Sequence, residues 1–438
     1  MKNFSPAKSI LMFFLAMIIL GTFLLSLPFC RYNYSENFLL KNFFTATSAV
    51  CVTGLSVVDI GHFYTLAGQI IILGLIQIGG LGYMALSTAL GLFLGKISLQ
   101  DRLTIGTIME IDSYAAMFSL LKYIMGVIFT IEFIGAIILT LAFRTQFSWL
   151  TSLYYGIFHS ISAFCNAGFS LFTNNLENYQ NNPVVLITIA LLIITGGLGF
   201  LVLSEIRDRL RKQRTKFSLH FRIVSVTTII LIVAGLGMFW LMESKNVLRG
   251  HNFSFSLLNS FFQSVTPRTA GFNSLPIGWL RPGTWLLLII LMFIGASPGG
   301  TGGGIKTSTF AIIMLYLNRF VRQKKECIVA GRKISEETIT KALVIFILSL
   351  FTIIAMASIL IATEKHFSFL QLLFETTSAF GTVGLSTGIT ANLSAFSQII
   401  IILTMVIGRI GPLTFFLALL SAKEPEERKY PEEKVLIG

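Results

Sequence analysis

Glycine holds one register in four segments of this chain, and glycine at a turn is the residue that lets backbone carbonyls act as ligands. Residues 45–56, 159–170, 262–273 and 375–386 align without gaps, stacking Gly54, Gly168, Gly271 and Gly384. Each of these glycines is followed by Leu or Phe and then by Ser or Asn. Without a Cβ the chain can turn its carbonyls toward a narrow axis, where a ring of them can replace the hydration shell of a large monovalent cation. Four walls would come from Val52, Thr53 and Gly54, from Asn166, Ala167 and Gly168, from Thr269, Ala270 and Gly271, and from Thr382, Val383 and Gly384. One such trio is weak evidence; four in matching contexts are strong.

A second set of residues could control such a passage. Ala296, Ser297, Pro298, Gly299, Gly300, Thr301, Gly302, Gly303, Gly304 and then Lys306 interrupt the apolar stretch 285–320. No continuous helix favours that run, so the span is expected to break at mid-membrane. A phosphate-binding loop is excluded, because Ile305 separates Gly304 from Lys306 and no strand precedes it. The alternative is a kink that only accommodates packing. Arg409 stands where the first and second repeats carry glycine. An arginine deep in a span costs about 2.5–3.5 kcal/mol unless its surroundings are polar, so its side chain is expected to reach a cavity. Capping of broken-helix carbonyls is the compatible alternative, and Lys306 could instead stretch to the cytoplasmic interface.

Other polar residues read more plainly. His159 and Glu375 share a register with Thr45 and Phe262, which favours packing or local hydrogen bonding over a ligand pair. Cys30, Cys51, Cys165 and Cys327 have no metal-site spacing and are assigned no chemistry. Asp59, Glu36 and Glu177 read as solvated carboxylates on the outer side, with concentration of cations as the alternative.

The elements that must position these residues follow from spacing and composition. The register glycines are 114, 103 and 113 residues apart, and each is followed by a second cluster: 79–82, 196–199, 299–302 and 408–411. One unit therefore reads as membrane helix, external loop, half-helix, glycine turn, membrane helix. The half-helices, near 36–50, 148–164, 253–266 and 367–380, are too short to cross a bilayer. Polar backbone after them is tolerated at membrane depth only where it is buried or lines water. Hydrophobic residues make up 54% of 438 and charged residues 12%, with a mean hydropathy of +0.79, which excludes a soluble domain. Apolar stretches at 9–28, 66–93, 184–203, 223–241 and 342–361 are long enough to span. The first is read as a membrane helix and not as a signal peptide. The net charge of +13 falls largely between spans, seven basic residues in 207–222 and seven in 319–341, so the positive-inside rule explains it without nucleic acid. Both segments, both termini and the 96–122 loop are then expected to be cytoplasmic, with all four glycine loops external. Repeats on one side fit an ion pore, whereas inverted repeats would fit a secondary transporter of another cation or small solute. A membrane enzyme would need a His, Asp or Glu cluster at membrane depth, which the sequence lacks.

On these four glycine segments, on the Thr-Val-Gly run ending at Gly384 and on the interrupted third repeat, the chain resembles the Trk/Ktr/HKT superfamily of cation transporters over about 9–420. Eight membrane helices without extra ones at the start look most like its Ktr-type subunits. The resemblance implies an all-α polytopic membrane protein, with eight transmembrane helices and four re-entrant half-helices around a pseudo-fourfold axis. Expected boundaries are 1–95, 122–206, 222–320 and 341–421 for the repeats, with cytoplasmic segments at 96–121, 207–221, 321–340 and 422–438. It further implies potassium uptake across the bacterial plasma membrane, favoured over sodium by Gly54, where a serine accompanies sodium permeability. Residues 295–307 correspond to the family's gate loop and Arg409 to an arginine beneath the filter. The chain itself needs no cofactor; the implied partners are a second copy of the chain and a cytoplasmic ring of Rossmann-type subunits carrying ATP or ADP. The basic loops and the end of the tail, 434–438, are plausible docking surfaces for that ring.

Overall fold

A computed structural model describes residues 6–32, 37–93, 114–212 and 216–419. The 96–121 and 422–438 segments, 434–438 among them, and Glu36 thus lie largely or wholly outside the described residues. Within them the chain is an all-α polytopic membrane protein whose element order runs four times through a leading helix, a half-helix and a closing helix. The leading helices are Pro6–Ser26, Tyr114–Phe143, Leu219–Glu243 and Glu336–Thr363. The half-helices are Phe38–Val50, Trp149–Phe164, Phe253–Val265 and Phe369–Gly381. Leu66–Phe93 closes the first round, Pro183–Leu198 with Phe200–Leu210 the second, Pro282–Phe293 with Thr307–Val321 the third, and Ala395–Ile410 with Pro412–Leu419 the fourth. By length and composition four of these helices can cross a membrane, or six if each bent pair counts as one span. The expected eight also count the first closing helix, whose apolar part before the kink is Leu66–Gly82, and the third, divided into Pro282–Phe293 and Thr307–Val321.

Local chemistry starts these helices. Ser148, Asn252 and Ser368 accept a backbone N–H at the starts of three half-helices, and Ser368 forms a full capping box with Gln371. Acids cap two closing helices across the loop: Glu243 accepts from Arg281 N at 3.0 Å and Glu364 from Ser394 N at 2.8 Å. A carboxylate at a helix N-terminus is favoured by the peptide dipoles.

The closing helices correct one expectation. The stretches 66–93 and 184–203 read as unbroken spans, with only the third repeat interrupted. Instead Gly82, Gly199 and Gly411 all take positive φ (73°, 90° and 91°). The second and fourth closing helices bend there by 97° and 101°. The first glycine of each cluster has a separate reason. An added Cβ at Gly79, Gly196 or Gly408 would collide with the carbonyl of Val50, Phe164 or Phe380, the last turn of the half-helix in the same round. Close backbone approach and then a left-handed turn both select glycine.

The core lies behind the half-helices, where Phe44, Phe158, Phe262 and Phe374 are fully buried. Apolar faces of the leading helices, such as Phe23, Phe133, Ile229 and Phe351, are exposed, as lipid contact requires.

Candidate functional site

The four register glycines form a closed cycle. A Cβ at Gly54 would strike the carbonyl of Ala167, one at Gly168 that of Ala270, one at Gly271 that of Val383, and one at Gly384 that of Thr53. Each glycine therefore abuts the residue preceding the glycine of the next round, and the fourth returns to the first. All four have positive φ, 92°, 68°, 76° and 94°. So do the residues two earlier, Val52, Asn166, Thr269 and Thr382, at 56°, 59°, 75° and 49°. Three of those four are β-branched, for which the left-handed region costs about 1–3 kcal/mol and persists only where the surroundings enforce it. The half-helices end just before this ring, so four helix C-termini, each carrying about half a negative charge, converge on it. Backbone carbonyls and helix C-termini gathered in this way carry partial charges of the sign that suits a cation.

Half-helix side chains hold the ring in place. Gly54 N donates to Ser48 Oγ at 3.0 Å and Gly384 N to Ser378 Oγ at 3.1 Å. Beyond the ring, His159 Nε2 meets Ser170 Oγ at 3.1 Å, and Glu375 accepts from Ser386 Oγ at 2.6 Å, Thr387 N at 3.0 Å and Thr390 Oγ1 at 2.8 Å. His159 and Glu375 are thus local hydrogen-bonding braces. The third half-helix sits one residue out of the gap-free register. Its Thr266 carbonyl accepts from Ala270 N, whereas Ser48, Ser162 and Ser378, one position earlier relative to the glycine, accept from Thr53 N, Ala167 N and Val383 N.

Residues 295–307 pack against the ring on the side of Thr269 and Thr382. Gly303 N donates to Thr382 Oγ1 at 3.0 Å, and a Cβ at Gly302 would collide with Thr269. Ser297 N and Thr301 N donate to the carbonyls of Gly197 and Gly196 at 2.9 and 3.2 Å, and Thr301 Oγ1 to the carbonyl of Phe164. Gly299 O accepts from Phe200 N at 3.1 Å, Gly300 N turns back to Ser297 O, and Ser297 Oγ lies 2.9 Å from Thr307 Oγ1. Ala296 and Gly304 are within the same loop, closed by Gly295 N donating to Ile305 O at 2.8 Å, and Pro298 O faces Gly199. Arg409 donates to Thr301 O through one guanidinium nitrogen and to Gly79 O through the other. It therefore ties the interrupted segment to the first closing helix. Lys306 Nζ donates to Gly302 O at 2.6 Å, so its head stays with the segment.

Comparison with known proteins now decides the family. The model of the family TrkH, described as cation transport protein, matches residues 5–429. This chain belongs to the TrkH family. It is 41% identical to Ktr system potassium uptake protein B of Bacillus subtilis (strain 168) over 439 residues, covering 100% of this chain and 97% of that protein. It is 40% identical to the protein of the same name from Vibrio alginolyticus, covering 98% and 94%, and 35% identical to potassium/sodium uptake protein NtpJ of Enterococcus hirae, covering 100% and 98%. The crystal structure of the potassium transporter TrkH from Vibrio parahaemolyticus superposes with a TM-score of 0.74 at 18% identity, covering 96% of this chain and 86% of that one, which establishes the shared fold. The expected Trk/Ktr/HKT resemblance holds. As a TrkH-family member the chain is a multi-pass membrane cation transporter, not an enzyme.

Within this TrkH-family chain some polar groups escaped the sequence reading. Glu132 is buried in the second leading helix, where Gln77 Nε2 and Cys165 Sγ approach its carboxylate at 3.4 and 3.8 Å and Ser160 Oγ donates to its carbonyl at 2.6 Å. The signal was a lone acid inside an apolar run. Arg268, behind the third glycine, donates to Thr228 Oγ1 at 3.3 Å. The carboxylates expected on the outer side are engaged locally: Asp59 caps Gly61 N and His62 N, and Glu177 accepts from Asn273 Nδ2 at 2.8 Å, while burial raises its pKa. All four cysteines are free and buried.

Proposed function

We propose that this chain takes up potassium across the plasma membrane through one pore formed by its four rounds. The Gly54, Gly168, Gly271 and Gly384 ring with its flanking residues is the filter, and residues 296–306 with Arg409 are the gate. The observation that carries this reading is the cyclic glycine-to-carbonyl contact, which brings backbone oxygens from all four rounds to one closed ring. The names of the Ktr relatives, potassium uptake proteins, support the ion. Sodium dependence of that uptake is supported by the relation to NtpJ, named a potassium/sodium uptake protein. On this reading both termini and the basic segments are cytoplasmic, the repeats follow the boundaries expected from sequence, the protein works as a homodimer, and a nucleotide-binding ring regulates it, as the Ktr "system" names support.

The test is rubidium or potassium uptake by purified protein in liposomes at an imposed inside-negative voltage with competing sodium. Uptake that is driven by voltage and little reduced by sodium is expected. Equal flux of both ions, or uptake of an organic solute instead, would overturn it.

A further inference from the structure

Outside the ring and the segment packed on it, three basic residues line one hollow of the described structure. The segment 321–335 folds into a two-stranded hairpin, Ile328–Val329 against Arg332–Lys333, with Ala330 and Gly331 at its turn in left-handed conformation. Cys327, Ile334 and Ile339 seat it against Leu219 at the start of the third leading helix. Between the hairpin turn and that helix start lies a cavity of about 360 Å3 whose lining includes Lys216, Arg222 and Arg332 and no acid. Four neighbouring basic residues are ion-paired: Arg207 with Asp208 at 2.8 Å, Arg319 with Glu336 at 2.6 Å, Lys333 with Glu326 at 2.5 Å and Lys341 with Glu337 at 2.6 Å. Glu205, near the same helix start, is engaged by Ser218 N and Oγ at 2.9 and 2.6 Å. Among the described residues the three cations of the cavity have no ion-pair partner.

We propose that this cavity binds the phosphate of an anionic phospholipid. Three cations around one hollow supply the charge and hydrogen-bond donors that a phosphate oxyanion needs. What favours a lipid over free phosphate is the surface above. Arg222 stands at the foot of a stripe on the third leading helix, Val226, Ile229, Ile230 and Val233, at helical spacing and each more than half exposed. Phe217 and Leu219 add apolar wall within the cavity itself. A headgroup in the cavity would therefore leave its acyl chains against this stripe. The hairpin, through Cys327 and Ile334, would join that lipid to the helix Thr307–Val321, which begins directly after the gate segment.

The test is native mass spectrometry of the full-length protein in detergent, titrated with phosphatidylglycerol or phosphatidylcholine. The site variant is K216Q/R222Q/R332Q, and the control, R322Q/K324Q/K325Q, removes the same charge from outside the cavity. Phosphatidylglycerol is expected to be preferred, with occupancy falling about tenfold or more in the site variant and within about twofold in the control. The charge-keeping variant K216R/R222K/R332K should retain the lipid, which separates loss of binding from loss of fold. Equal loss in site and control variants would overturn the proposal, as would no preference over phosphatidylcholine. So would displacement of the lipid by millimolar inorganic phosphate, which would mark a free-phosphate site.

Discussion

Glu375 is a buried acid whose partners are all neutral: the hydroxyls of Ser386, Thr387 and Thr390 and the N–H of Thr387. It fixes residues 386–390, which follow the fourth glycine, by making them depend on one carboxylate. Glu375→Ala leaves those donors without an acceptor, at about 1–3 kcal/mol for each group that water cannot reach. The expected result is a lower melting midpoint and a smaller rise on adding potassium, with Glu375→Gln between; an unchanged potassium-dependent rise would contradict a bracing role. Arg409 works differently, because its planar fork holds two carbonyls from separate rounds at once. Lysine keeps the charge but not the fork. Arg409→Lys should therefore raise basal flux about tenfold, the equivalent of one lost charged hydrogen bond, while leaving the electrostatic barrier to cations in place. Reconstituted flux equal to wild type would show that the tether does not hold the segment.

At the scale of elements, the half-helices were legible from the four aligned segments, each closed by its register glycine, and the expected ranges agree to within two residues. The caps that open three of them, Ser148, Asn252 and Ser368, are seen in the structure. The bends in the closing helices were not legible, since a Gly-Gly-Leu-Gly run inside an apolar stretch has helical periodicity. The break lies at the last glycine of each cluster, Gly82, Gly199 or Gly411, where φ is positive, three residues after a glycine packed on a half-helix carbonyl. The displaced register of the third half-helix was hidden for a related reason: an alignment anchored on glycine cannot see which upstream carbonyl receives the next N–H. The interrupted third segment was legible, because Pro298 and the run of glycines forbid a helix without outside help. Its contacts were not. It meets Thr382 of the fourth round, Gly196 and Gly197 of the second and, through Arg409, Gly79 of the first. Deleting 296–304 should raise basal cation flux by at least as much as Arg409→Lys does, and a folded deletion protein that conducts no faster would remove this segment from the gate.

For the whole molecule, the difficulty is to carry a cation through a chain of net charge +13. Fourteen of the 33 basic residues, seven in each of 207–222 and 319–341, lie in two segments between membrane helices. The ring itself is surrounded by half-helix C-termini and carbonyls, whose partial charges have the sign that favours a cation. Fourfold convergence supplies this field, while residues 295–307 of the third round and Arg409 of the fourth break the fourfold pattern on the side of the ring they pack against. On the proposed reading, a ring shared by four rounds is the filter, and a segment of the third round with Arg409 of the fourth is the gate.

The most direct measurement is the potassium-to-sodium flux ratio of Gly54→Ser in liposomes, beside wild type. At φ 92° a serine is strained, and its Cβ meets the Ala167 carbonyl, so the ring must open at one of its four joints. Strain of about 1–3 kcal/mol corresponds to about a tenfold loss of discrimination against sodium, with potassium flux largely kept. A variant that folds and selects potassium as well as wild type would contradict the assignment of the glycine ring as the filter.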